Sequence, residues 1–232
     1  MQVNHMQPEQ KQINNRKKIV AASVAGSAIG IASTVAGLYT VTKKGNPTLS
    51  LKKLAYDEKD VLLIGTNAVL GGLAGGLITD RDKDNVVPKL REATHQLVGN
   101  TLFPVSFVAL GNKILEKTNF KLPQINSNSK MANIANIFLK ALPKSVMTLS
   151  ALFGGAAVGN KIVNSVNNKI FKEEVKHSVA PEDMLVHTDD ICFATSMLLK
   201  DSPKISSFTN AILPATFLVS GAKTGMQQKQ NC

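Results

Sequence analysis

Asp80, Asp82 and Asp84 alternate with Arg81 and Lys83 in a short polar stretch between two uncharged runs. Alternating carboxylates open the oxygen cage of a helix–loop–helix calcium site, which next needs glycine at position six and a bidentate glutamate at position twelve. Here position six is Asn85, position twelve is Arg91, and Glu92 comes one place late. The two interleaved cations also lower the local negative charge. The stretch is expected to be a solvated charged turn, with Asp80, Asp82 and Asp84 as the chain's candidate for a metal ion.

His187, Asp189, Asp190 and Cys192 form a second polar cluster. On a helix, His187 and Asp190 share a face. One imidazole and one carboxylate do not complete a metal site, and no HExxH or CxxC spacing accompanies them. His95 follows Glu92 by three residues at the edge of an uncharged run. A histidine there is placed for proton transfer at a membrane end, or simply starts a helix. Glycine-rich phosphate loops, the GxSxG nucleophile turn and the kinase signatures are all missing. Cys192 and Cys232 show no pattern that would imply a disulfide framework. Neither an enzyme nor a resident cofactor is expected.

Five uncharged runs must position these residues: Ile19–Thr42, Val61–Thr79, Ala93–Asn112, Ser145–Asn160 and Ile205–Ala222. A mainly apolar helix of about 20 residues covers the hydrocarbon layer of a bilayer. The runs therefore predict an all-α, multi-helix membrane bundle. Several carry small residues at helical spacing: Gly26 and Gly30; Gly71, Gly72, Gly75 and Gly76; Gly155 and Gly159. In water each glycine costs a helix up to about 1 kcal/mol relative to alanine. Their density suits faces where helix backbones approach closely in lipid.

The chain divides into a disordered basic tail (1–18), an apolar helix (19–42), a helical membrane core (61–160), a polar connector (161–204), an apolar helix (205–222) and a tail (223–232). The run after Arg16, Lys17 and Lys18 is longer than a signal-peptide core, so an anchor is expected. The connector is expected to hold an amphipathic helix over 181–199. Its bias toward acid in the first turn and apolar residues later suits an interfacial position.

Asn100–Lys113 aligns without gaps on Asn210–Lys223, with identical Asn, Pro, Phe, Gly and Lys. This is a candidate internal repeat. In an α-helix each proline would displace the carbonyl four residues back, at Asn100 for Pro104 and at Asn210 for Pro214. Broken helices at matching places in two repeats point to a transporter's midplane site. Asn100, Pro104, Asn210 and Pro214 are thus candidates for kinks beside a permeation path.

The net charge is +11, with the basic residues spread over every connector. There is no tryptophan and there are only two tyrosines, so bases would find few stacking platforms, and nucleic acid is not an expected partner. The lipid bilayer is, through anionic headgroups, together with a second copy or partner membrane helices. Lysine and arginine divide almost evenly between alternating connectors, so the positive-inside rule sets no orientation; Ser145–Asn160 is the shortest expected span. Abundant asparagine and lysine suggest an AT-rich bacterial genome, hence a multi-pass protein of the bacterial inner membrane. The expected role is a non-catalytic helical scaffold or assembly component. A small transporter or pore subunit and a soluble all-α interaction protein are the alternatives.

Overall fold

A computed structural model describes residues 8–51, 54–118, 120, 122–126, 129–171 and 203–229. The cluster at His187–Cys192, the expected amphipathic helix and Cys232 lie outside these residues. The described chain is all-α, with six helices and no strand: α1 (Pro8–Gly45), α2 (Glu58–Thr79), α3 (Val86–Thr94), α4 (Phe103–Thr118), α5 (Lys130–Phe171) and α6 (Pro203–Met226). A 3-10 turn, Lys83–Asn85, leads into α3, and a π-helical segment, His95–Leu102, joins α3 to α4.

Local chemistry sets several boundaries. Lys43 and Lys44 face the negative end of α1. The described part of α1 reaches back to Pro8, eight residues before Arg16, in what composition marks as disordered tail; Gln, Glu and Lys are good helix formers and extend it. Asp57 caps α2. Its Oδ1 accepts from the N–H groups of Lys59 and Asp60, both at 2.9 Å, while Asp60 Oδ2 accepts from the Asp57 N–H at 3.2 Å. This reciprocal box satisfies donors that the first turn would otherwise leave open.

Among the described residues, three helical stretches are long and apolar enough to cross a membrane: Gln12–Gly45, Glu58–Thr79 and Leu142–Phe171. Ser145–Asn160, the shortest expected span, falls within the third of these stretches. It sits inside the 42-residue α5, which passes Pro143 without ending. Ala93–Asn112 and Ile205–Ala222 are helical but are not among the three. The first is divided among α3, the π segment and α4.

Neighbour pairs give the helix directions. Gly26 meets Gly71 and Gly75, and Gly30 meets Asn67, so α1 and α2 are antiparallel. Gly221 meets Gly72 and Gly225 meets Gly76, so α6 is parallel to α2. Gly111 lies against Met147, Gly155 against Pro104 and Gly159 against Gly99, so α5 is antiparallel to the α3–π–α4 column. We call the end where α1 starts the near end and the end where α2 starts the far end. The core includes Val61, Ile64, Ala68, Val105, Val108, Leu152, Leu213 and Phe217. Large apolar side chains also face outward: Ile29 is 68 % exposed, Ile78 83 % and Phe153 62 %.

Candidate functional site

Two features dominate the interior. The first is a clasp of α1, α2 and α6 made by backbone. A Cβ built on Gly71 would overlap the Gly26 carbonyl, one on Gly72 the Gly221 carbonyl, and one on Gly76 the Gly225 carbonyl. Gly155 and Gly159 do the same for α5 and the π column. A Cβ at Gly155 would lie 2.7 Å from Pro104 Cα and 2.8 Å from the Phe103 oxygen. Gly30 and Gly75 would overlap the carbonyls of Asn67 and Ala22. All eight glycines singled out for helix packing thus stand at helix–helix contacts. Asn67 adds a hydrogen bond across α1 and α2, its Nδ2 donating to Thr34 Oγ1 at 2.8 Å.

The second feature is a buried polar track along the α3–π column. Asn85, Lys89, Glu92, Gln96 and Asn100 recur three or four residues apart, and all five are buried. At the near end, Lys89 Nζ donates to Asp80 Oδ2 at 2.7 Å and to the Gln227 carbonyl at 2.6 Å. Asn85 Nδ2 also donates to Asp80 Oδ2, at 3.0 Å, and Asn85 Oδ1 accepts from the Lys229 N–H at 2.8 Å. Glu92 accepts from Gln96 Nε2 at 2.8 Å and from Gln227 Nε2 at 3.3 Å, with Lys223 Nζ at 3.7 Å. Asn100 Nδ2 then donates to Gln96 Oε1 at 3.1 Å. At the inner end of this relay the Asn100 Oδ1 is buried with no hydrogen-bond partner among the described residues.

The π geometry has a local cause. Pro104 has no N–H, and its ring would strike the carbonyl of Asn100 in an α-helix. The column widens instead. The Phe103 N–H donates to Val98, five residues back, and Thr101 Oγ1 donates to the Gln96 carbonyl at 2.8 Å. The strain expected as a kink is therefore taken up over a wider turn. Such insertions are frequent at functional sites. His95 opens the segment, buried beside Gly99, whose Cβ position lies 2.7 Å from Asn160 Oδ1 on α5.

The structure separates the three aspartates. Asp80 binds the Lys89 ammonium, so a side-chain cation sits where the loop pattern would place a metal. Asp82 caps the 3-10 turn through the Asp84 N–H at 3.0 Å. Asp84 is 70 % exposed near Lys229. Among the described residues, no three metal-ligating side chains gather. Pro104 and Pro214 lie at one depth. A Cβ on Gly65 would meet Thr101 at 2.8 Å and Phe217 at 2.9 Å, and each proline is three residues farther toward the far end. The two segments run in opposite directions, however, and Pro214 sits within an ordinary α-helix. The side chain of Asn210 lies outside the described part. Lys89, Glu92 and Gln96 are the members of the track that motif reading passes over; their only signal is a polar stripe with helical period.

No protein-family model matches the chain, and neither a curated protein nor a solved structure is significantly similar to it.

Proposed function

We propose that this chain is a multi-pass integral membrane protein, of the bacterial inner membrane by its composition, acting without catalysis as a rigid helical scaffold for assembly. The observation that carries this reading is the clasp of α1, α2 and α6. Bare backbone against backbone gains dispersion contact where apolar side chains gain little over lipid. The same helices turn Ile29, Ile78 and Leu70 outward. In this reading the clasp sets the geometry and the outward faces meet lipid or partner helices. Alkaline carbonate extraction tests it: the full chain stays with the membrane pellet, and recovery in the supernatant overturns it.

A second reading, passage of an ion or small polar solute, is favoured by one observation. The polar track runs from the near end to mid-depth, at the layer of Gly65 and Thr101, and ends on the unpartnered Asn100 Oδ1. Ionisable residues inside a membrane bundle are functional candidates by default. Beyond that layer Val105, Val108 and Leu152 close the path with apolar packing. Flux in reconstituted vesicles that vanishes in a folded Asn100→Leu variant favours passage; absence of flux for cations, anions and protons leaves the scaffold.

A further inference from the structure

At the far end, away from the polar track, a cavity of about 430 Å³ opens between the start of α2, the end of α4 and the first turns of α5. Its volume falls within the roughly 300–1,000 Å³ of small-molecule sites. Glu58 and Glu116 line it with one sign of charge, and Lys140 and Lys144 with the other. None of these four side chains makes an ion pair or hydrogen bond within the described structure. Opposite charges thus share one space without neutralising each other. Lys140 and Lys144 are one turn apart on α5, so both ammonium groups reach the same side. Asn112 Oδ1 lies buried in the wall without a partner among the described residues. Tyr56 adds an aromatic surface, and burial followed by the nearby Asp60 raises its phenol to about 12, which keeps it neutral. The helix dipole of α2 is already capped by Asp57, so the lysines, rather than the helix start, offer the anion site.

We propose that this cavity binds a zwitterion carrying a phosphate and a primary ammonium, the phosphoethanolamine head of a phospholipid. The phosphate sits on Lys140 and Lys144 as charge-assisted hydrogen bonds, and the ammonium donates to Glu58 and Glu116. A quaternary choline head has no N–H to donate and is discriminated against. The cavity lies where a headgroup would: Glu58 begins the apolar stretch of α2, and Pro143, in the cavity wall, adjoins the start of the apolar stretch of α5 at Leu142. The lipid source rests on the membrane reading above; the headgroup chemistry does not.

The test uses the full chain purified in a neutral detergent. Glycerophosphoethanolamine is titrated by calorimetry against glycerophosphocholine and glycerophosphoglycerol. The expected result is binding of the ethanolamine compound, weakened roughly tenfold or more when Lys140 and Lys144 are both alanine or when Glu116→Gln removes a carboxylate. Lys140 and Glu116 are exposed, so K140A and E116Q singly preserve the fold. Native mass spectrometry of protein from mixed-lipid nanodiscs then separates the sources. Retained phosphatidylethanolamine assigns the site to lipid; binding of the soluble head without lipid retention overturns the lipid source. No binding of the ethanolamine compound, or equal binding by wild type and both variants, overturns the proposal. Carbonate extraction fails independently of this titration, so the two readings fall separately.

Discussion

Lys89 is the residue on which the near end turns. Its ammonium is fully buried and holds Asp80, on the turn after α2, to Gln227, beyond α6. Removing one member of a buried pair leaves an uncompensated charge, which typically costs about 3–5 kcal/mol. Lys89→Ala should lower the thermal midpoint of the detergent-solubilised chain accordingly, and the K89M/D80N double variant should recover much of the loss. Burial alone would raise the Asp80 carboxyl, but the Lys89 ammonium, the Asp82 N–H and the Asn85 amide together hold it below its usual range. A depressed carboxyl stabilises the fold fully above its unfolded value of about 3.9, and that stability is lost as pH falls through the lower folded value. Unfolding followed by circular dichroism should show this acid loss in wild type and a flatter acid limb in Asp80→Asn. Tyr56 gives the opposite sign. Its phenol is raised to about 12 by burial and by Asp60. Its contribution is complete below about 10 and disappears as pH rises from there through the folded value. An ultraviolet titration should lose its step near 12 in Tyr56→Phe.

At the scale of the elements, glycine position separates packing from mere composition. Gly72 and Gly76 have the carbonyls of Gly221 and Gly225 where a Cβ would stand, whereas Gly37 has nothing within 4 Å. Alanine at Gly72 or Gly76 must push two backbones apart, and overpacking of this kind costs about 1–3 kcal/mol each. Gly37→Ala meets no neighbour and should gain up to about 1 kcal/mol of helix propensity. A thermal-shift series in detergent checks the contrast; equal effects at Gly37 and Gly72 would show that no clasp exists. Much of this was legible beforehand, because small residues three and four apart need only the helical period to be seen. The π segment was not. A proline announces an obstruction, but whether the helix kinks or widens depends on what holds the turn before it, here the Thr101 hydroxyl on the Gln96 carbonyl. The polar track was hidden for a related reason. Lys89, Glu92 and Gln96 look like a solvated face until Gln227 and Lys223, more than 130 residues later, are laid over them.

For the whole molecule, the helix directions define two ends that no single element contains. Chain leaving α2 and entering α3 is at the near end, as are the end of α5 and the end of α6; the α1–α2 connection, the end of α4 and the start of α6 are at the far end. The even spread of lysine and arginine, which left orientation open in the sequence, is consistent with charge at both ends: Lys89, Arg91, Lys223 and Lys229 at the near end, and Lys43, Lys44, Lys140 and Lys144 at the far end. If the bundle lies across a bilayer, the two ends face different compartments. With Cys192 and Cys232 replaced by serine, single cysteines at Asp84 and Lys229 should react with an impermeant maleimide from one side of sealed vesicles. Cysteines at Asn46 and Glu116 should react only from the other. All four positions are exposed, so labelling reads sidedness rather than burial. A bundle lying outside the bilayer labels at all four from one side, and that pattern removes the scaffold and passage readings together, because both depend on apolar faces such as those of Ile29, Ile78 and Phe153 meeting lipid.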